Sequence, residues 1–237
     1  MNLITSLLTR NRHLFGSVLA LEYKTAPVVI LDLSKENQEV AKLDFSNASV
    51  QSAYINNLLA KKKAKLAVGR YNEERSIYDH SALFSGTERR TIHLGNDLFV
   101  PAGTAILCPY DATVHSFKDN AGVGDYGPTI ILQHTLEGET FYTLYGHLTI
   151  DSIKELREGE KFGKGECIGY VGDPSINGGW APHLHLQIIT NMLGNKGDFP
   201  GVASHATREE MTQICPDPNL ILQIPMENQC PSNATNE

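Results

Sequence analysis

The chain has 237 residues, of which 41% are apolar and 20% charged, so it can bury a sizeable core as one large or two small domains. A formal net charge of −7 excludes a general nucleic-acid binder, because no domain-wide positive field draws phosphates. No apolar run is long enough for a membrane span, and Arg10, Arg12 and His13 break up the N-terminal apolar residues too soon for a signal peptide. On these grounds the chain reads as cytoplasmic. Cysteines 108, 167, 215 and 230 show no C-x-x-C pairing, which argues against a structural zinc ribbon. Cys108 and Cys167 lie in apolar runs and are expected to act as small buried hydrophobes; two disulfides in an exported protein are the alternative.

Residues 2–18 place Ile4, Leu7, Leu8 and Phe15 at helical spacing. A strand is expected at 28–33. Ser46 or Asn47 can cap a helix to about Ala67, with Val50, Ala53, Tyr54, Leu58 and Leu59 inward. Lys61 to Lys65 reads as cations at a helix C-terminus, where the dipole favours them, and not as a binding patch. Residues 69–83 read as a connector. From residue 90 the pattern turns to strands, at 97–100, 104–107, 111–117, 129–134, 140–145, 167–171 and 183–189. Val100-Pro-Ala-Gly103 and Leu156-Arg-Glu-Gly159 echo one another, as two related hairpin units would. A short helix follows near 207–214, then a polar tail from Glu227.

Four histidines and an aspartate stand in three short groups: His93-Leu-Gly-Asn-Asp97, Tyr145-Gly-His147-Leu, and His183-Leu-His185. Two imidazoles and a carboxylate hold zinc while leaving a position open for water. In a strand His183 and His185 project to one face. Gly95-Asn96 argues for a turn or an irregular strand end between His93 and Asp97, so this is not the helical His-Glu-x-x-His arrangement. Trp180 beside the His183 strand can line a groove or cap the core. The glycine-rich loops 120–127 and 172–180 either admit a peptide backbone or are ordinary turns. His13, His80, His115 and His205 have no assignable partner, and His134, at the end of an apolar strand, stands at most beside the site.

In this order the groups resemble the lysostaphin/LytM-type zinc endopeptidases, many of which cut peptidoglycan cross-links. The flanks VPAGTAILCPYDATV (100–114), YGPTIILQH (126–134), EGEKFGKGECIGYVG (158–172) and WAPHLHLQI (180–188) extend the resemblance over about residues 88–190. It implies His93, Asp97 and His185 as zinc ligands and His147 and His183 as the unligated catalytic pair. Tyr145 stands where it could lend a further hydroxyl. The implied fold is a mainly β catalytic domain, a duplicated barrel-sandwich hybrid, here with an α/β N-terminal segment. LDLSKEN and GDFPGVAS…CPDPNLIL further resemble the central segment of larger bacterial proteins that join such a domain to kinase-like and aminotransferase domains.

The expected division is 1–87 as a helical or mixed segment, 88–190 as the metallopeptidase-like β domain, and 191–237 as an extension packing on the core. The first segment is either a regulatory cover, with an asparagine such as Asn37, Asn47, Asn56, Asn57 or Asn72 blocking the metal, or a packed appendage; the appendage is favoured. The leading function is a zinc endopeptidase for glycine-containing or peptidoglycan-derived peptides, with a peptide or muropeptide as partner. The alternative is a non-catalytic binding or activator module on the same fold. A phosphohistidine carrier comes third, and the H-x-x-x-D and H-x-H pair speaks against it.

Overall fold

The computed structural model describes residues 2–77 and 88–226. In chain order the elements are α1 (Leu3–Arg10), β1 (Val28–Leu31), α2 (Ala48–Lys62), β2 (Leu66–Gly69), β3 (Arg90–His93), β4 (Asn96–Phe99), β5 (Ala105–Leu107) and β6 (Ala112–Asn120). They continue with β7 (Gly127–Leu136), β8 (Glu139–Gly146), α3 (Asp151–Lys154), β9 (Lys161–Phe162) and β10 (Cys167–Tyr170). The last are β11 (His183–Ile189), β12 (Val202–Ser204), α4 (Arg208–Ile214) and α5 (Asn219–Leu222). The architecture is mainly β, with an α/β N-terminal segment. The eight-stranded sheet runs β1-β2-β4-β11-β8-β7-β6-β9, beside two-stranded sheets β10-β5 and β12-β3. β1 and β2 are parallel, joined through α2, while the other ladders are antiparallel.

The period-two rule separates two environments across the large sheet. Leu98, Ile130, Leu132, Tyr145, Leu184, Leu186 and Ile188 enter one core with Ile106 of β5 and Ile168 of β10. On the opposite face, Ile131, Leu144 and Ile189 join Ile92, Phe199 and Ala203. Farther along that sheet, Val29, Leu31, Ala67 and Phe99 pack with Ile55 of α2 and with Leu33, Val40 and Phe45. The strand β11 is buried on both faces.

Several sequence expectations shift. The N-terminal helix stops at Arg10, capped at its start by Asn2, whose side chain accepts the Thr5 amide. Asn47 caps α2 as expected, but the helix ends at Lys62, because Lys63 turns left-handed with φ of 52°. Leu66 and Ala67, read as its tail, instead open β2. Gln51 and Ile55 are its buried positions, while Ala53 is exposed. The lysines close the helix, as expected of cations at its C-terminus.

Gly103 and Gly159 both adopt positive φ before a short strand, consistent with the echo, yet β5 pairs with β10 and β9 with β6. Cys108 is a buried thiol pushed up to about 12 by burial, whereas Cys167 is exposed, contrary to expectation. Cys108, Cys167 and Cys215 are free. His80, Cys230 and the tail from Glu227 lie outside the described residues. Among the described residues no helix is long and apolar enough to cross a membrane.

Candidate functional site

The site is assembled where β3, β4 and β11 meet. β3 ends at His93, the chain bends at Gly95, and β4 carries Asp97. Asp97 pairs with His185 and Phe99 with His183 across the β4–β11 ladder. Paired residues share a face, so Asp97, Phe99, His183 and His185 all project away from the Leu98–Leu184–Leu186 core. Gly95 is required by the packing: a Cβ there would come within 2.5 Å of His185 Cε1 and 2.7 Å of the Leu186 carbonyl.

Three donor atoms converge. Asp97 Oδ1 lies 3.1 Å from His93 Nε2 and 3.1 Å from His185 Nδ1, and the two nitrogens are 3.0 Å apart. Their outer hydrogen bonds set the tautomers. His93 Nδ1–H donates to the Arg70 carbonyl at 3.0 Å, and His185 Nε2–H donates to Gln187 Oε1 at 3.1 Å. Gln187 is itself oriented by donating its amide to the Pro200 carbonyl and Cys215 Sγ. The inner nitrogens therefore carry lone pairs, and three lone pairs aimed at one point are stabilised by a cation. Zinc–nitrogen bonds of about 2.0–2.1 Å separate donors around one ion by only slightly more than is seen here. His93, Asp97 and His185 together are a group that could hold a metal ion.

Electrostatics agree. Burial alone would raise the Asp97 carboxyl, but attraction to its neighbours, His93 first and then the Arg75 guanidinium, outweighs it and holds it well below the ordinary carboxylate value. Burial, aided by Arg75, lowers His93 to about 4, so its ring is neutral at neutral pH.

His147 and His183 form a second pair beside this cluster, with ring centroids 4.3 Å apart. The chain leaves β8 at Gly146 and takes a left-handed turn at His147, φ 65°, which swings that ring into the site. His147 Nδ1–H donates to the Asn177 carbonyl at 2.8 Å and His183 Nδ1–H to the Ala181 carbonyl at 2.7 Å, leaving both Nε2 atoms unprotonated. His183 Nε2 is 3.7 Å from Asp97 Oδ1. Burial, then the neighbouring His183 and His185, depress His147 well below the ordinary imidazole value, and burial likewise depresses His183.

Tyr145 is a correction. It points into the core opposite the site, completely buried, with its hydroxyl hydrogen-bonded to that of Thr143 at 3.0 Å. Strand alternation dictates this, since Leu144 and Gly146 occupy the site face. The tyrosine present at the site is Tyr126, from the glycine-rich loop. Its ring lies 5.1 Å from His185 and 5.8 Å from His147, and its hydroxyl donates to Gln187 Oε1 at 3.4 Å. Gly146 and Gly201 make room for it. His134 also faces the opposite core, stacked on Phe141, and takes no part in the site. His13 and His205 are exposed, and His115 is half-buried at the β6 edge, bonded to Ser116.

The cluster sits in a groove of about 290 Å³. Leu33, Val40, Phe45 and Phe99 form one wall with Trp180, which takes the groove-lining alternative; Tyr126, Phe199 and Val202 stand opposite. Gln51 pins the first wall to the His183 strand: its side chain donates to the Phe45 carbonyl and accepts the Ala181 amide at 2.9 Å. The two glycine-rich loops pack on each other, with the Gly124 amide donating to the Gly178 carbonyl at 2.8 Å. A Cβ at Gly178 would fall 2.0 Å from the Asp125 carbonyl, so the glycine serves close backbone approach.

Residues 91–196 match Peptidase family M23. Peptidoglycan DD-endopeptidase ShyA of Vibrio cholerae is 30% identical over 142 residues, covering 59% of this chain and 30% of its own. An uncharacterized metalloprotease of Haemophilus influenzae is 33% identical over 133 residues, covering 54% of this chain and 26% of its own. The match thus spans less than a third of the length of these relatives. Among solved structures, a zinc containing peptidase from Vibrio cholerae aligns at 25% identity and a TM-score of 0.35, over 42% of this chain and 28% of that one. Lysostaphin from Staphylococcus simulans aligns at 23% identity and a TM-score of 0.35, over 51% of this chain and 44% of that one. Residues 91–196, which carry His93, Asp97, His147, His183 and His185, are thus similar to peptidase family M23 domains.

Proposed function

We propose that this chain is a zinc-dependent endopeptidase whose substrates are glycine-containing or peptidoglycan-derived peptides. The observation that carries the reading is the convergence of His93 Nε2, Asp97 Oδ1 and His185 Nδ1 beside a second imidazole pair in an open groove. A zinc ion held by these three residues would supply a water of lowered pKa and a Lewis acid for the scissile carbonyl.

The chain's own groups do the rest. His147 and His183 are neutral at neutral pH and present Nε2, so either can accept a proton from the attacking water. Once protonated, the same nitrogen can return the proton to the leaving amine or donate a hydrogen bond to the developing oxyanion. The carbonyls of Asn177 and Ala181 keep the rings aimed throughout. The apolar walls exclude water around the substrate backbone and orient it. The name of the ShyA relative supports peptidoglycan-derived peptides as the first substrates to try.

The test is elemental analysis joined to hydrolysis of muropeptides and glycine-containing peptides followed by mass spectrometry. The expected result is about one zinc per chain, lost in Asp97→Ala and His185→Ala. His147→Ala and His183→Ala should keep the metal and lose cleavage. A zinc-free parent after reconstitution would defeat the peptidase reading; a zinc-loaded parent that cuts no peptide would favour the binding-module alternative.

A further inference from the structure

The single carboxylate of the cluster is held from two sides. Oδ1 of Asp97 faces the two imidazoles, while Oδ2 accepts a hydrogen bond from Arg75 Nη1 at 2.6 Å. Both partners are almost wholly buried, with 4% and 5% side-chain exposure. The guanidinium is anchored at its other nitrogens too: Nε donates to Glu73 Oε2 at 2.9 Å and Nη2 to the Arg70 carbonyl at 3.3 Å. Glu73 Oε1 accepts the Leu33 amide at 3.1 Å, which ties this chain of contacts to the end of β1. Backbone bonds from Arg75 to Thr91 and from His93 to Glu73 lay this segment along β3. Gly69 leaves the space for it, since a Cβ there would meet Arg75 Nη2 at 2.8 Å and Asp97 at 3.2 Å.

The charge balance is specific. A guanidinium one carboxylate away from a cation site would by itself oppose the cation. Glu73, paired with Arg75 and 3.9 Å from Arg70, offsets part of that charge, so the fork can orient Asp97 with less opposition to a bound cation. Resting on the zinc reading above, we propose that Arg75 is a positioning residue of the metal centre. Its fork reserves one oxygen of Asp97, leaves the other as a single donor, and is itself fixed by Glu73. A determinant of the metal site then lies ahead of residue 91, outside the segment that matches the family.

The test measures zinc affinity of the full chain by chelator competition for the parent, Arg75→Gln, Arg75→Lys and Glu73→Gln, with Asp97→Ala as the metal-free reference. Near-ultraviolet circular dichroism of the zinc-free forms monitors the fold. Arg75→Gln should bind zinc about 10–100-fold more weakly, the usual effect of losing a partner of a ligand. Arg75→Lys should not restore affinity, because an ammonium carries the charge without the fork. With Co²⁺ as the probe, the visible band of Arg75→Gln should weaken, as fits a carboxylate free to donate both oxygens. Parent-like affinity and an unchanged cobalt band in a folded Arg75→Gln would overturn the proposal. If Arg75→Gln does not fold, Glu73→Gln decides: weaker zinc binding supports the positioning role, and parent-like binding refutes it. A parent that binds no more zinc than Asp97→Ala would instead overturn the metal reading itself.

Discussion

Phe99 and His183 are cross-strand partners on β4 and β11, and their rings stack with centroids 4.7 Å apart and planes at 26°. The stack, the Ala181 carbonyl and the His147 ring together leave His183 one orientation. Phe99 is also a buried member of the core under α2. Phe99→Ala should therefore cost about 3–5 kcal/mol in urea unfolding, as large core truncations do. It should retain zinc while slowing peptide hydrolysis, because His183 loses its platform and the ligands keep theirs. Unchanged turnover in a folded Phe99→Ala would show that the stack does not position the ring.

Gly95 separates two ligands and lies against the third. Gly95→Ala would drive a methyl into His185, whose Cε1 and Nε2 are 2.5 and 2.7 Å from the ideal Cβ position. Elemental analysis should find the variant depleted of zinc. Gly138→Ala is the comparison: Gly138, unlike Gly95, needs a left-handed backbone, φ 86°, but nothing lies within 4 Å of its added methyl. That variant should lose about 1 kcal/mol or somewhat more and keep its metal. Equal zinc content in both variants would count against this packing argument.

The two tyrosines should separate in function. Tyr126→Phe removes the hydroxyl that reaches Gln187 Oε1, the acceptor orienting His185, so peptide turnover should fall. Tyr145→Phe removes a hydroxyl bonded to Thr143 inside the opposite core and should cost about 1 kcal/mol with turnover unaffected. Steady-state kinetics on both variants, with denaturation curves alongside, checks the pair; a turnover defect in Tyr145→Phe alone would reverse the assignment.

His134 makes a prediction about acid stability. Burial lowers it from 6.5 to about 4, with Nδ1–H donating to the Asp111 carbonyl at 3.1 Å and Nε2 2.7 Å from the Thr143 hydroxyl. The unfolded chain binds a proton at this residue below about 6.5, and the folded chain only below about 4. Its contribution is thus complete above the unfolded value and is lost as pH falls from about 6.5 to about 4, roughly 3 kcal/mol in all. Urea midpoints of the zinc-free protein from neutral pH to about pH 4.5 should fall more steeply in the parent than in His134→Gln. Parallel slopes would mean the histidine is not buried neutral.

Much of the site could be read before any fold was known, because its chemistry is local. His183-Leu-His185 in an apolar run states that two imidazoles share a strand face, and Gly95-Asn96 states that His93 and Asp97 do not share a helix. Donor identity, the mainly β pattern and the helix cap at Asn47 are all properties of a few neighbouring residues.

The tertiary structure decided what depends on distant partners. Alternation states that Leu144 and Tyr145 face opposite ways, but only pairing with β7 and β11 decides which of them meets the site. Leu66 to Gly69 follow a lysine-rich helix end and become a strand because β1 and β4 offer ladders on either side. Arg75 stands in a stretch with no periodicity, and its role arises from Asp97, 22 positions away. A sequence displays its periodicities and donor types directly, whereas which surfaces meet is set by long-range burial and loop closure, which no short window contains.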